Sequence, residues 1–363
     1  MRVKLGDVCE RGSSNLKQSD VAENNGDYEI YGASGLIGKV DFFHQDKPYI
    51  AVVKDGAGIG RTMLLPEKSS VIGTMQYLLP NEKVLPRYLY YVVRYMHLEK
   101  YFTGATIPHI YFKDYKNEEF NLCDLSEQEK IISSLSTIES IITHHRTQLE
   151  KLDELIKARF VEMFGTLENP TQKFNFSTLK ELCIKITDGK HGGCTQEVGT
   201  KRYFVGAREI YDDVVHYDTA PEINIAEFEK DYKRCNLEIG DFLIVNTGAT
   251  IGKSAIASDE KTTQTLLQKS VALLKVKKDL LNAVFLQWCY KVNDRMYKVD
   301  SASAQPNLLL SKINATYIYV PPIELQNQFA DFVKQIDKSK VAVQKALDEA
   351  QLLFDSLMQE YFG

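Results

Sequence analysis

Two stretches of the chain, 126–165 and 324–363, carry the same pattern of apolar residues and align without a gap at an offset of 198 residues. Apolar side chains recur at spacings of four and three, which predicts long helices with an apolar seam for a partner helix. The seam consists of Ile131, Leu135, Ile138, Ile142, Leu149, Leu152 and Ile156 in the first stretch and of Phe329, Val333, Ile336, Val343, Leu347 and Phe354 in the second.

Residues at the start of each stretch indicate where the helices begin. Ser126 and Glu129 form a predicted capping box in the first, while Pro321 and Pro322 stop any preceding helix and fit the first turn of the second. A helix of about 38 residues is roughly 57 Å long, which is typical of a spacer. Two such helices with matching seams are predicted to pack as an antiparallel coiled coil, although a plain helical hairpin used for dimerisation has the same pattern.

Each long helix follows a domain whose sequence indicates strands and turns. Four short apolar runs beside glycine-rich turns are predicted strands: 49–53 and 62–65 in the first domain, 241–245 and 254–257 in the second. Segments 88–95 and 281–290 are predicted helices. The fold class is therefore mixed α/β, with two repeated domains joined by two long helices in a pseudo-twofold arrangement. The predicted boundaries are 1–122 and 166–320 for the domains and 123–165 and 321–363 for the helices.

The two domains are related to each other, because similar residues recur at offsets that grow along the chain. Residues 5–9 match 179–183 at an offset of 174, and the turn 56–60 matches 248–252 at an offset of 192. Growing offsets are what a duplicated domain with insertions produces. Most of the added length lies within 208–240, where the acidic stretch 211–231 is predicted to be a surface excursion.

Composition is that of an ordinary globular protein, with 44% hydrophobic and 26% charged residues. No apolar run reaches the roughly 18–20 residues of a membrane span, so we expect no membrane association and a cytoplasmic location. The six cysteines lack zinc-site spacing, which predicts free thiols. The net charge of −5 lies on the helices: 123–165 and 321–363 each carry −3, whereas 1–122 carries 0 and 166–320 carries +1. A local basic face on the domains is therefore compatible with a nucleic-acid partner.

Three motifs resemble cofactor or metal sites, and each has a simpler explanation. The glycine-rich run 55–60 precedes β-like residues instead of the helix that a dinucleotide-binding loop needs, so a strand-to-strand turn is predicted. Residues 248–254 resemble a nucleotide-binding P-loop, but one residue is missing between the glycines. His144 and His145 point about 100° apart on a helix, which excludes an i,i+4 metal pair. No cofactor or metal site is predicted in this chain.

Equivalent loop positions in the two domains differ in their polar side chains. The differing pairs are Lys54-Asp55 against Asn246-Thr247, Thr106-Ile107 against Ala304-Gln305, and His109 against Asn307. Short polar side chains can read base edges, whereas an acid–base role does not survive the exchange of His109 for asparagine. Arg61 and Lys253 stay basic in both copies, as a phosphate contact requires. Simple divergence of surface loops is the alternative explanation.

Four motifs occur in order along the chain together with the repeated helices: IYGASG at 30–35, ITDGKH at 186–191, NTGATIGK at 246–253 and PPIELQ at 321–326. In this arrangement the chain resembles the specificity subunit of Type I restriction-modification systems over essentially its whole length. The resemblance implies a subunit without catalysis of its own. Its two target-recognition domains would each contact one half of a bipartite, asymmetric double-stranded DNA site.

The resemblance also implies partners. Methyltransferase subunits, two in number, would bind the paired helices, and restriction and motor subunits would join them. S-adenosylmethionine and ATP are expected on those partners, and no cofactor on this chain. The helices would hold apart two half-sites that lie about one turn of DNA, roughly 34 Å, from each other. The candidate DNA-binding residues are Lys54, Arg61, Thr106, His109, Lys113, Lys190, His191, Arg208, Asn246, Thr247, Lys253, Gln305 and Asn307.

Three other functions stay open at this point. A specificity subunit of a related methyltransferase–nuclease system would share the same architecture. A self-contained nuclease or methyltransferase would need metal-binding carboxylates or a nucleotide loop, and neither stands out. A coiled-coil adaptor that binds only proteins would lack the steep salt dependence that phosphate contacts produce.

Overall fold

The computed structural model describes residues 1–22, 24, 26–104, 108–298 and 307–363. Residue contacts divide the chain into two units: unit 1 comprises Met1–Thr147 and Val343–Gly363, and unit 2 comprises Gln148–Ala342. Each unit therefore contains one domain together with part of each long helix. The sequence-based boundaries at 122, 165 and 320 instead treat the helices as separate segments, and they stay a prediction.

Unit 1 is built around an antiparallel sheet with the strand order β2-β8-β5-β6. Its strands are β1 (Arg2–Lys4), β2 (Cys9–Ser13), β3 (Tyr28–Gly32), β4 (Gly35–Val40), β5 (Tyr49–Val53), β6 (Thr62–Leu65), β7 (Ser70–Val71), β8 (Met75–Pro80) and β9 (Glu119–Asn121). Its helices are α1 (Gln18–Ala22), α2 (Pro86–Tyr95), α3 (Phe112–Tyr115), the first part of α4 (Leu125–Phe164) and the last part of the C-terminal helix α9 (Ile323–Phe362). All five residues of β5 are buried, because β3, β4 and β7 form a second sheet beside the first and α2 contacts β5 and β6.

Unit 2 repeats this arrangement with the strand order β11-β18-β15-β16. Its strands are β10 (Asn175–Thr178), β11 (Cys183–Asp188), β12 (Tyr203–Val205), β13 (Ile210–Tyr211), β14 (Val214–Val215), β15 (Phe242–Val245), β16 (Ser254–Ile256), β17 (Thr265–Leu267), β18 (Val271–Val276) and β19 (Tyr317–Val320). Its helices are the last part of α4, α5 (Leu179–Leu182), α6 (Ile225–Asp231), α7 (Ala283–Val292), α8 (Leu310–Ala315) and the first part of α9 (Ile323–Phe362). The equivalent sheets confirm the mixed α/β class and the duplication.

A buried glutamine anchors each long helix to its own domain. Gln128 donates hydrogen bonds to the carbonyls of Lys83 (2.9 Å) and Cys123 (3.0 Å) and accepts one from the amide of Leu85 (2.9 Å). In unit 2, Gln326 makes the equivalent three bonds at the start of α9. Both side chains are fully buried. Since a buried amide is stable only when its polar atoms are paired, these bonds fix where each helix leaves its domain.

The two long helices pack together, as the repeated seam predicted. In unit 2 the ring of Phe329 lies 5.3 Å from that of Phe160, and Lys340 forms an ion pair with Asp153. The contacts run in opposite directions along α4 and α9, so the helices are antiparallel. Buried seam residues are Ile131, Leu135, Ile138, Ile142, Ile156, Phe329, Val333, Leu347 and Phe354, and half-buried ones are Leu149, Leu152, Ile336 and Val343. Sequence analysis omitted Phe160, Phe164, Met358 and Phe362, which are also buried.

Two expectations about local structure were wrong. Helix α4 begins at Leu125, and Asp124 caps it by accepting a hydrogen bond from the amide of Glu127 at 2.9 Å, so Ser126 and Glu129 do not form the cap. The segment 208–240 is more than a surface excursion. It contains β13, β14 and α6, and buries Ile210, Tyr217, Ile223, Phe228, Cys235 and Leu237 in the cores of unit 2.

Each of the six cysteines is a free thiol, as predicted. Cys9 and Cys183 occupy equivalent buried positions at the starts of β2 and β11, and burial raises the pKa of each to about 12. They therefore belong to the core. Among the helices in the described part of the chain, none combines the length and apolarity needed to span a bilayer.

Candidate nucleic-acid interface

The glycine-rich segments form matching strand-to-strand turns. In unit 1 the amide of Gly60 donates to the carbonyl of Val53 at 2.9 Å, and in unit 2 that of Gly252 donates to Val245 at 3.0 Å. Both glycines have positive φ (81° and 93°), and a Cβ on either would clash with Glu99 or Tyr297. A strand follows each turn, which confirms the predicted turn in place of a dinucleotide-binding loop.

A second loop is hydrogen-bonded to each turn in the same way. Asp55 forms a β-bridge with His109 in unit 1, and Thr247 forms the equivalent bridge with Asn307 in unit 2. The residues that follow make equivalent backbone hydrogen bonds. The amide of Ile110 donates to the carbonyl of Lys54 at 2.9 Å, and the amide of Leu308 donates to the carbonyl of Asn246 at 2.7 Å. The two units thus present different side chains on equivalent backbones.

In unit 1 these side chains are charged. Nδ1 of His109 lies 2.7 Å from Oδ1 of Asp55, and Lys54 forms an ion pair with the same carboxylate. Burial tends to raise the pKa of Asp55, but the hydrogen bonds from Lys54 and His109 outweigh it and lower the pKa below its ordinary value. Because the carboxylate holds Nδ1, the imidazole is oriented with Nε2 as its remaining hydrogen-bonding atom.

In unit 2 the equivalent side chains are neutral. The hydroxyl of Thr247 can donate to Oδ1 of Asn307 at 3.3 Å or to Oδ1 of Asn246 at 3.4 Å. Asn246 is buried, whereas Asn307 is exposed. When the hydroxyl of Thr247 donates to the amide oxygen of Asn307, the NH2 group of Asn307 is oriented as a donor. Unit 2 therefore offers an amide where unit 1 offers an imidazole.

A cavity of about 410 Å³ in unit 2 joins this loop to further polar residues. The residues lining it are Asp188, His191, Asn246, Thr247, Lys269, Asn307, Leu309, Leu310 and Ser311. Nε2 of His191 lies 3.0 Å from Asp188, whose carboxylate also forms an ion pair with Arg234. The predicted residues His191, Asn246, Thr247 and Asn307 are thereby brought together at one surface.

Sequence analysis missed Lys269, Asp188 and Arg234. Lys269 occupies the position that Gly73 occupies in unit 1. The backbone amide of Lys269 donates to the carbonyl of Lys190 at 3.0 Å, and that of Gly73 donates to the carbonyl of Leu16 at 2.7 Å. The position therefore differs between the copies, as the predicted reading positions do. Arg234 has no such signal, since it lies in the segment that unit 1 lacks.

Lys190 has a different environment from the other predicted contacts. Its ammonium pairs with Glu227 at 3.1 Å and Asp231 at 2.7 Å, and only 19% of its side chain is exposed. The hydrogen bond with Asp231, together with that to Glu227, raises the pKa of Lys190. Lys190 thus joins α6 to the loop, and its DNA contact stays a prediction.

The remaining predicted contacts lie mostly at the surface. Lys113, Arg208 and Lys253 are exposed, and Arg61 is exposed while its Nη1 donates to the carbonyl of Ala33 at 2.8 Å. Thr106 and Gln305 lie outside the described residues. Across the described parts of the chain, no cluster of three or more His, Cys, Asp or Glu side chains could hold a metal ion.

The ion pairs of Asp188 predict a pH-dependent contribution to stability. Burial tends to raise the pKa of Asp188, but hydrogen bonds from Arg234 and His191 lower it below 3.8. Stabilisation by a carboxylate with a lowered folded-state pKa is complete above the unfolded pKa and is lost as the pH falls through the folded one. We expect Asp188→Asn to destabilise unit 2 by roughly 1–2 kcal/mol at pH 7, since its partners are partly exposed.

Urea unfolding at pH 7 and pH 3 checks this expectation. The difference between wild type and Asp188→Asn should shrink below about pH 4. An equal difference at both pH values would show that the carboxylate charge is not the stabilising element. Asp279→Asn is a matched control, because Asp279 is an exposed carboxylate in unit 2.

The duplicated domains, the paired helices and the non-identical loops define a protein of two related units that present different side chains on equivalent backbones. The chain belongs to the family of the type I restriction modification DNA specificity domain, whose model matches residues 1–154 and 171–350. Proteins of this family are the non-catalytic DNA-recognition components of restriction-modification systems.

Individual relatives agree with this assignment. The chain is 24% identical over 331 residues to the Type I restriction enzyme MjaVIII specificity subunit of Methanocaldococcus jannaschii, with 82% of this chain and 76% of that protein covered. The MjaIX specificity subunit of the same organism is 21% identical over 305 residues, which cover 77% and 69% of the two chains.

Solved structures share the fold. The S subunit of a Type I restriction-modification system from M. genitalium matches with a TM-score of 0.62 at 18% identity, covering 100% of this chain and 96% of that one. A chain from a structural study of complex assembly in the type I R-M system matches with a TM-score of 0.58 at 15% identity, covering 99% and 97%. The predicted fold class and family are thereby confirmed.

Proposed function

We propose that each unit of this chain reads one half of a bipartite double-stranded DNA site. The observation that carries the proposal is the pair of equivalent bridges, Asp55 with His109 and Thr247 with Asn307. The backbones match while the side chains differ, so two related readers would recognise two different half-sites. Asn246 and His191 extend the reading surface of unit 2.

Phosphate contacts would position each reader on the duplex. Arg61 and Lys253 follow the two turns at equivalent positions, and the carbonyl of each accepts the amide of the last residue of β5 or β15, at 2.9 and 2.8 Å. Their exposed cations suit a backbone contact, which carries no sequence information. Lys54, Lys113 and Arg208 are further candidates for phosphate contacts, and Thr106 and Gln305 are further candidates for base reading.

The partners in this proposal are the subunits with which S subunits of type I systems assemble. Two methyltransferase subunits would bind this chain, and restriction and motor subunits would join the complex. S-adenosylmethionine and ATP would be bound by those partners. The assembled complex would act on cytoplasmic DNA.

The methylation pattern of cellular DNA tests the proposal. Genomes from cells with and without this chain, both containing the partner methyltransferase, are compared by sequencing that detects modified bases. We expect a bipartite motif that is methylated only when the chain is present. Methylation at a continuous motif, or an unchanged pattern, would contradict the proposal.

Salt dependence tests the phosphate contacts. We expect Arg61→Ala and Lys253→Ala each to weaken binding to specific and unrelated DNA alike, and to lower the slope of log affinity against log salt by about 1. The measurement is a salt titration of DNA binding by the purified chain with its methyltransferase subunit. Lys278→Ala is a control, since Lys278 is an exposed cation beside Gly240 in unit 2 and is not part of either turn. A loss confined to one sequence would assign the residue to base reading instead.

A further inference from the structure

Unit 1 contains a cationic cavity whose lining residues do not include Asp55, His109 or their neighbours in the two loops. The cavity has a volume of about 700 Å³ and lies between α2, α4 and α9. We call it the arginine groove. The charged residues lining it are Arg87, Arg94, Arg146 and Glu139.

The single carboxylate of the arginine groove is already paired. Glu139 forms an ion pair with Arg94 at 2.6 Å and accepts a hydrogen bond from the hydroxyl of Tyr91 at 2.7 Å. Arg94 also lies over the ring of Phe354, 5.0 Å from its centroid. Arg146 is exposed and forms no ion pair with another described residue. The groove therefore keeps excess positive charge on a surface formed by α2 and α4.

Unit 2 contains the equivalent positions. Helix α7 matches α2 at an offset of 197, as the matching bonds of Leu85 to Gln128 and of Asn282 to Gln326 show. Lys291 consequently corresponds to Arg94, Trp288 to Tyr91, and Asp337 of α9 to Glu139 of α4.

In unit 2 the cation equivalent to Arg94, Lys291, is paired with a carboxylate of the same chain. Asp213 forms an ion pair with Lys291 and lies 3.5 Å from the amide nitrogen of Gln287. It lies at the tip of the β13–β14 hairpin, where Asp212 and Asp213 both have positive φ. This hairpin belongs to the segment 208–240, for which the first domain has no counterpart of similar length.

We propose that the arginine groove of unit 1 binds an acidic loop of a partner protein, the methyltransferase subunit. The hairpin of unit 2 demonstrates the type of ligand, a carboxylate on a tight turn docked on a cation of α7. Guanidinium groups favour carboxylates through paired hydrogen bonds. DNA is the less favourable occupant, because 123–165 and 321–363 each carry a charge of −3. The two partner-binding faces of the chain are then unequal, since the one in unit 2 is occupied internally. The choice of partner rests on the proposed function.

Charge reversal tests this proposal on the full chain. We expect Arg87→Glu with Arg146→Glu to weaken binding of the purified methyltransferase subunit roughly tenfold at constant salt. Lys47→Glu is the matched control, because Lys47 is an exposed cation of unit 1 outside the groove and outside the long helices, and its effect should be about twofold at most. Affinity is measured by calorimetry, and stoichiometry by mass photometry. Arg146→Ala, which introduces no new charge, should weaken binding in the same direction if the double variant fails to fold.

The outcomes separate this proposal from the proposed function. Unchanged methyltransferase affinity in both groove variants would overturn it, and so would a loss of DNA affinity without a loss of methyltransferase affinity. The readout is protein–protein binding, so it is independent of which DNA sequence is recognised. Failure of bipartite methylation by the wild-type chain would instead contradict the proposed function.

Discussion

Replacing His109 with alanine is expected to relax recognition at one half-site and to leave the other half-site unchanged. The imidazole is oriented by Asp55 at 2.7 Å, so its loss removes a positioned hydrogen-bonding group from unit 1 only. A well-placed contact to a base edge contributes about 1–3 kcal/mol of discrimination. Modified-base sequencing of cellular DNA should therefore show new bases accepted at one position of the motif.

Asn307→Ala is the reciprocal variant and serves as the control. Asn307 occupies the equivalent bridge in unit 2, so its replacement should relax the other half-site. If both variants relax the same half, or if both weaken methylation uniformly, the bridges do not encode separate half-sites. The duplication would then be architectural, and reading would lie elsewhere on the domains.

Phe160→Ala is expected to produce the largest loss of stability. The fully buried ring of Phe160 lies 5.0 Å from that of Phe164, 5.6 Å from Phe285 and 5.3 Å from Phe329. Truncation leaves a cavity where α4, α7 and α9 meet, and such changes cost about 3–5 kcal/mol. The chain contains one tryptophan, Trp288, which packs 6.3 Å from Phe329. Its fluorescence during urea unfolding therefore reports on unit 2.

Leu155→Ala provides the comparison for Phe160→Ala. Leu155 lies on the same helix but is 47% exposed, so its loss should change the free energy of unfolding by roughly 0.5 kcal/mol. Equal effects of the two variants would mean that the helix contributes through its intrinsic propensity and not through packing. We expect the free energy of unfolding of unit 2 to fall far more in Phe160→Ala than in Leu155→Ala.

Sequence signals predicted the structure correctly where the residues of a short segment alone determine its backbone conformation. Pro321 and Pro322 correctly predicted the start of α9, and the glycines of the two turns correctly predicted strand-to-strand connections. The prediction of the α4 cap was wrong because Asp124 and Ser126 are both good capping residues. Tertiary structure selects Asp124, since β9 and the bonds of Gln128 to Lys83 and Cys123 determine where the chain turns into the helix.

The acidic segment 208–240 illustrates the limit of composition. Its charged residues indicated a surface excursion, whereas its scattered apolar residues form part of the core. Apolar residues at irregular spacing give no periodic signal, so their burial is visible only once β12 and β17 are paired.

The sequence by itself determined the duplication, the strand-and-turn domains and the two long helices, because repeated residues and regular apolar spacing are local properties of the chain. Tertiary structure alone decided which polar residues act together. His109 meets Asp55 across 54 positions, Arg234 meets Asp188 across 46, and Asp213 meets Lys291 across 78. Contacts between such distant residues depend on how the strands and helices pack, and no pattern within a short segment records them.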